Sequence, residues 1–263
     1  MTKTMTPLDV GSTARVRAAV APMLSMARIA SVLTSQCPAG HVVTLLARDG
    51  DWWRVRSADS YEGWMHTGYL EAARGDEGDW PMTTGALVRE VDGRVRALPF
   101  GALVSPDAML LSGHVYDDDE RARLFPPEAT AIAASAETHF AGASYVWGGV
   151  TPWGCDCSGF VQAIAALHDV RLPRDAWRQA LMGEAVPGAS LSEMTLHAAD
   201  LLFFSDQEDR RVTHVGMALD GHRMVHSALA RGGVVVEALG AADGYVEGLR
   251  RRVVGGRRLT VDG

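Results

Sequence analysis

Tyr145-Val146-Trp147-Gly148-Gly149-Val150-Thr151-Pro152-Trp153-Gly154-Cys155-Asp156-Cys157-Ser158-Gly159-Phe160 is the stretch on which the fold turns. Its glycines and proline build a structured loop. Beyond it, Phe160, Val161, Ile164 and Leu167 recur at helical spacing, which predicts a helix over 157–168. Cys157 then sits in the first turn, facing unpaired backbone N–H groups and the positive end of the helix dipole. Both favour thiolate, the reactive form of cysteine. The same N–H groups suit a developing oxyanion. Cys157 is therefore the candidate nucleophile, and Cys155 reads as a small apolar filler.

Downstream, strand-like runs cover 201–204, 212–219, 224–226 and 234–238, and an Ala-rich helical segment precedes the loop at 128–140. Helices first and an antiparallel run second make this part α+β. In the run Val212 to Leu219, alternation puts His214 on one face with Gly216 and Ala218. A three-residue hairpin loop Leu219-Asp220-Gly221 sets Ala218 opposite His222, Gly216 opposite Met224 and His214 opposite His226. That register stacks a base, His214, against an orienting partner, His226. A two-residue loop pairs Val215 with His226 instead and spoils it. A lone strand histidine is usually structural, so the pairing carries the argument. Cys155, Cys157, His214 and His226 also make four potential zinc ligands, but C-x-C is not zinc spacing, and no metal or other cofactor is expected.

Upstream, two β-rich blocks precede the α+β part. Residues 9–73 alternate short apolar runs with turn-formers and read as a small β-barrel. An acidic, Gly-bearing break at 74–79 follows, and residues 80–126 again read as short strands around an Asp92-Gly93 hairpin turn. The third block is 128–263.

The chain has 263 residues and a net charge of −7, without a Lys/Arg block that would mark nucleic-acid binding. Arg250, Arg251, Arg252, Arg257 and Arg258 read as a solvated face. Three cysteines are too few for a disulfide framework and point to a reducing compartment. With no secretory pattern at the N-terminus and only an interrupted apolar stretch at 16–33, the expectation is a soluble, cytoplasmic protein with no membrane partner. Oligomeric state is not legible.

At these motifs the sequence resembles the NlpC/P60 family of cell-wall cysteine peptidases. The match runs from Tyr145 to Val161 with Cys155 in an apolar place. It continues through Leu172-Pro173-Arg174-Asp175, Gln179, the segment from Asp200 to Phe204, Thr213-His214-Val215-Gly216 and Val225-His226-Ser227. The resemblance implies a papain-like α+β catalytic domain with Cys157 as nucleophile, His214 as base and His226 as orienter, and with Tyr145 near the thiolate. The segments Ser35-Gln36, Trp53-Arg54-Val55 and Tyr61-Glu62-Gly63-Trp64 resemble a bacterial SH3-like domain. The resemblance makes residues 9–73 and 80–126 two such SH3-like β-barrels, as in a subgroup, the γ-D-glutamyl-L-diamino acid endopeptidases, that cuts murein tripeptides and tetrapeptides after L-Ala-γ-D-Glu during cell-wall recycling and requires a free N-terminal alanine.

That resemblance assigns Asp156, Ser158 and Tyr61 to an amine pocket, with Arg174 and Asp175 also among the substrate-binding residues. A buried ammonium needs such carboxylate and hydroxyl partners. Two departures stand out. His41 occupies a place where the subgroup often has Glu, so that either a nearby acid such as Glu62 substitutes or the amine requirement is relaxed. Ala176-Trp177 stands where relatives carry a Ser. The rival readings are an amidase or acyltransferase on another substrate, and a non-catalytic cell-wall binding module.

Overall fold

The computed structural model describes residues 8–73 and 80–259, so the acidic break at 74–79 lies outside the described residues. The chain forms two compact units that divide after Glu120.

In the N-terminal unit, β1 (Thr13–Val16), β2 (Val20–Leu24), β3 (Leu33–Pro38), β4 (Val42–Asp49), β5 (Trp52–Arg56), β6 (Glu62–His66) and β7 (Leu70–Ala72) form one antiparallel sheet ordered β3-β2-β6-β5-β4-β1-β7. Alternation does the sorting: along β5, Trp53 and Val55 are buried while Arg54 and Arg56 are exposed. Val16, Met23, Val43, Leu45, Trp53, Val55 and Met65 make its core, where each fully buried apolar side chain contributes roughly 1.5–3 kcal/mol. Cys37 is buried there too. Burial, then the charge of Asp59, pushes its thiol up to about 12.

The second block holds β8 (Met82–Arg89), β9 (Val95–Leu98) and β10 (Met109–Tyr116), a three-stranded antiparallel sheet ordered β10-β8-β9. The β8–β9 hairpin turns at Asp92-Gly93 as expected, with Gly93 left-handed at φ 86°. The three strands fall where the sequence placed short strands, but they form one three-stranded sheet in place of the second SH3-like barrel expected for residues 80–126. Its core of Ala86, Val88, Leu98, Ala102 and Val104 includes Ala39 from the first block. The Leu103 N–H donates to the Ala39 carbonyl at 2.8 Å. A side chain on Gly40 would put its Cβ 2.3 Å from the Leu103 carbonyl oxygen, so the two blocks pack as one body.

The unit from Arg121 onward carries α2 (Ala129–Thr138), β11 (Val150–Thr151), β12 (Gly154–Cys155), α3 (Cys157–Leu167), α4 (Ala176–Gln179), β13 (Glu184–Val186), β14 (Leu201–Phe204), β15 (His214–Ala218), β16 (Arg223–Ala228), β17 (Gly233–Ala238), α5 (Gly244–Arg252) and β18 (Val253–Arg258). A short helix α1 (Asp118–Leu124) spans the division between the units. Strands β13 to β18 form an antiparallel sheet ordered β13-β18-β14-β15-β16-β17, and α3 packs on β15 and β16. The helical spacing read from the sequence is what α3 buries: Phe160, Val161, Ile164 and Leu167 are fully enclosed, and Phe160 meets Phe140 edge-on at 5.3 Å. The helix stops where Asp169 turns left-handed (φ 59°) and the Val170 N–H reaches back to the Ala165 carbonyl at 2.9 Å.

The arginine cluster is not merely a solvated face. Arg250 donates to the Leu239 and Ala241 carbonyls, Arg257 donates to the Ala180 carbonyl, and Arg258 binds the buried Asp200 carboxylate at 2.7 and 2.9 Å. Those carbonyls and that carboxylate end up buried or half-buried, where a donor must meet them. Among the described residues, no helix is long and apolar enough to cross a membrane.

Candidate active site

The loop before Cys157 is a tight double turn. β11 and β12 pair Val150 with Cys155 and Thr151 with Gly154. A Cβ on Gly149 would meet the Gly154 carbonyl oxygen at 2.2 Å, and one on Gly159 would meet the Gly149 carbonyl oxygen at 2.1 Å. Only glycine lets the loop fold against the head of α3.

Asp156 caps that helix. Its Oδ1 accepts from the Gly159 N–H at 2.7 Å and its Oδ2 from the Gly148 N–H at 2.8 Å. Arg174 grips the same carboxylate through Nη1 at 3.0 Å and Nη2 at 2.7 Å, and its Nη1 donates to Ser158 Oγ at 2.9 Å. Ser158 Oγ completes the group at 3.3 Å from Asp156 Oδ1. All three residues are buried. A carboxylate offers about four acceptor sites, and Asp156 already meets five donors. Gln179 ties the loop of Leu172 to Asp175 to the same helix head, donating to the Ser158 and Pro173 carbonyls at 3.1 and 2.9 Å. Asp175 is half-buried at the start of α4, with Arg178 Nε 3.9 Å from its carboxylate. Arg174 therefore holds Asp156 from within and is almost sealed from solvent.

Cys157 opens α3 beside β15. The Val215 and Ser158 backbone N–H groups donate toward its sulfur. The thiolate expected from the helix head is nonetheless not favoured. Burial first, then the negative Asp156, pushes the thiol up to about 12, and the N–H groups and Arg174 only partly offset this. Cys155 is wholly buried, as a filler would be, and burial pushes its thiol up to about 11. Tyr145 is half-buried, and its hydroxyl is pushed upward by burial first and then by the nearby Cys157 and Asp156.

His214 and His226 do meet: His214 Nε2 lies 2.8 Å from His226 Nδ1, with ring centroids 5.0 Å apart. The register differs from the one expected. Met217 pairs with Val225 and Ala218 with Met224, which sets His226 across from Gly216, two residues along from the predicted partner. The loop is Asp220-Gly221-His222, closed by the Leu219 N–H on the Arg223 carbonyl at 2.9 Å. Asp220 selects it by accepting from the His222 and Arg223 N–H groups at 2.8 and 2.9 Å. A slip of two keeps every side chain on its face, whereas a slip of one would have separated the histidines. The pair is diagonal, a spacing that two long aromatic side chains can bridge. Both rings are neutral at neutral pH. Burial, then His226, drives His214 down to about 3, and burial, then Arg231, drives His226 down to about 4.

The remaining assignments lie in the N-terminal unit. Tyr61 packs against the barrel core, its hydroxyl 3.5 Å from the Thr34 carbonyl. Glu62 is committed to Arg54 and Arg56 at 2.8 and 2.7 Å. Nε2 of His41 lies 2.7 Å from the Gly101 carbonyl, so it carries the proton and donates. The sequence reading missed Glu237 and Arg231, which flank His226. The available signal was an acid at an inward-facing position of an otherwise apolar strand.

A thiol at a helix head beside a strand that carries a base and its orienter is the arrangement of covalent acyl chemistry. Among the described residues, no three His, Cys, Asp or Glu side chains gather as metal ligands would.

Residues 27–71 match the bacterial SH3 domain family, and residues 142–247 match the NlpC/P60 family. The chain is similar to a Bacillus subtilis protein named gamma-D-glutamyl-L-lysine dipeptidyl-peptidase, 43% identical over 89 residues, or 34% of this chain and 28% of that one. A Bacillus cereus protein of the same name is 37% identical over 41% of this chain and 31% of its own. The chain thus spans about a third or less of the length of these two relatives. A Haemophilus influenzae probable endopeptidase is 34% identical over 43% of this chain and 68% of its own. In fold, the chain is similar to the crystal structure of a Bacillus cereus NlpC/P60 family protein, with a TM-score of 0.76 at 23% identity over 94% of this chain and 99% of that one. With these motifs in place around the helix head and the paired histidines, the chain belongs to the NlpC/P60 family.

Proposed function

We propose that this protein is a cysteine peptidase that hydrolyses the bond between γ-D-Glu and the diamino acid of murein peptides bearing a free N-terminal L-Ala. Its place would be cell-wall peptide recycling in the cytoplasm. The observation that carries the reading is the 2.8 Å contact between His214 Nε2 and His226 Nδ1 on the strand that also donates to the Cys157 sulfur. Nε2 of His214 is engaged by His226, which leaves Nδ1 for the thiol proton. The substrate specificity is supported by the names of the two Bacillus relatives.

In this mechanism Cys157 Sγ attacks the γ-D-Glu carbonyl as its proton passes to His214 Nδ1. Because burial disfavours both thiolate and imidazolium, proton transfer and attack proceed together rather than from a resting ion pair. Backbone N–H groups at the head of α3 stabilise the oxyanion. The His214 imidazolium protonates the leaving amine, and water, deprotonated by His214, then releases the acyl group. Tyr145 lines the site. Asp156 and Ser158 form the amine seat, where an arriving ammonium displaces the longest contact to Asp156, that of Ser158 Oγ at 3.3 Å. Arg174 acts on substrate only through that carboxylate.

Mass spectrometry of products from L-Ala-γ-D-Glu-diaminopimelate tests the reading. Wild type should release L-Ala-γ-D-Glu and Cys157→Ala should release none, because the covalent route needs the sulfur. Turnover by Cys157→Ala at the wild-type rate would falsify the assignment. Equal rates on N-acetylated peptide would overturn the amine seat alone.

A further inference from the structure

Past the two histidines, the row continues to a third strand. Met224 on β16 pairs with Glu237 on β17, so Glu237 stands diagonally beyond His226 on the same face. His226 is completely buried, and its Nε2 has no hydrogen-bond partner among the described residues. The nearest acid to it is Glu237, with Oε1 at 3.8 Å. The Glu237 side chain is itself only 10% exposed. Arg231 pins it, Nε donating to Oε1 at 2.7 Å and Nη2 to Oε2 at 3.2 Å. Arg231 is fixed in turn by Asp243 at 2.8 Å and lies over the Tyr245 ring at 4.7 Å. A carboxylate this enclosed, paired with one guanidinium and placed beside a bare imidazole nitrogen, needs a reason.

We propose that Glu237 is a positioning residue that fixes the tautomer of His226, and through it the tautomer of His214. The inference rests on the reading of Cys157 and His214 as the reacting pair. For His214 to take the thiol proton on Nδ1, its own proton must sit on Nε2 and be donated to His226 Nδ1. His226 must then carry its proton on Nε2, the nitrogen beside Glu237. A carboxylate at that distance favours an N–H there and disfavours a lone pair. Glu237 thus selects the one arrangement of protons in which the row points toward the sulfur, and it touches neither substrate nor the reacting atoms.

The test uses the full chain with ¹⁵N-labelled histidine and assigns His226 by its loss in His226→Gln. In wild type, the His226 ¹⁵N shifts should report a proton on Nε2. Glu237→Leu should shift His226 to a mixture of tautomers. It should also slow iodoacetamide labelling of Cys157, read at its own peptide, on the order of tenfold, as loss of an orienting outer partner commonly does. Either an unchanged tautomer or an unchanged labelling rate in this variant overturns the proposal. Should Glu237→Leu fail to fold, Glu237→Gln decides. Its carbonyl still accepts from Nε2–H, so the tautomer should persist with a smaller loss of rate, and wild-type labelling would sink the idea. None of these readouts needs a peptide substrate, so they stand apart from the murein specificity. Labelling unaffected by His214→Ala would instead point to failure of the reacting-pair reading.

Discussion

Two buried polar centres flank Cys157 in sequence and strand order, and they are built differently. Around Asp156 every carboxylate oxygen is satisfied: two backbone N–H groups, Ser158 and a bidentate Arg174 leave nothing unpaired. Along His214, His226 and Glu237 the contacts are single, and one buried nitrogen lacks a hydrogen bond. The first is a scaffold that holds the loop and the helix head. The second keeps protons free to move, because a proton relay cannot work if every lone pair is permanently taken. In the proposed mechanism the proton transfers fall to the second centre, while the first holds the loop and the helix head.

The sharpest way to break that contrast is to cut each centre once. His214→Ala should lower turnover of the murein peptide by about 10²–10⁴-fold. Its thermal midpoint should stay close to wild type, and a large drop there would mean the histidine row is scaffold after all. Arg174→Met should fall first on stability. It leaves a buried, uncompensated Asp156 charge, which costs about 3–5 kcal/mol in urea unfolding, and Asp156→Asn on the same background should recover part of it. If Arg174→Met unfolds at the wild-type urea concentration, the Asp156 centre is not what holds the helix head.

Acid should act on the histidine row. His214 and His226 titrate in the fold at about 3 and about 4, below their ordinary value of 6.5. The unfolded chain therefore binds more protons between those values. Stability from this source is complete above pH 6.5 and is lost as pH falls through about 4 and about 3, by on the order of several kcal/mol. The slope should shrink in His226→Gln, and an unchanged slope by urea titration would assign the acid sensitivity elsewhere. The smallest effect concerns the sulfur. With the thiol pushed up to about 12, iodoacetamide labelling of Cys157 in His214→Ala, where no base takes the proton, should climb about tenfold per pH unit between 6 and 9. A plateau below pH 7 would mean a resting thiolate, as the helix head alone suggests.

Much of this was legible before any coordinates. The alternation in β5, the start of α3 at Cys157 and the limits of β14 follow from residue pattern, because burial of a helical stripe or of one strand face is a local property. The two histidines were also legible as a pair, since strand parity survives a two-residue slip. The slip itself was not, because Asp220 chose the loop through hydrogen bonds that spacing does not display. Nor were the bonds from Arg174 to Asp156, the work of the C-terminal arginines, or the merging of the second β block with Ala39, each of which joins residues far apart in the chain.

Residue order alone determined which side chains are the candidates for the chemistry and on which elements they ride, because periodicity and turn-formers act over a few neighbours. Tertiary structure decided their protonation and their partners. How deeply Cys157 is enclosed, which nitrogen of His226 faces Glu237 and whether Asp156 is satisfied all depend on dielectric and distance, and those exist only once distant segments have packed.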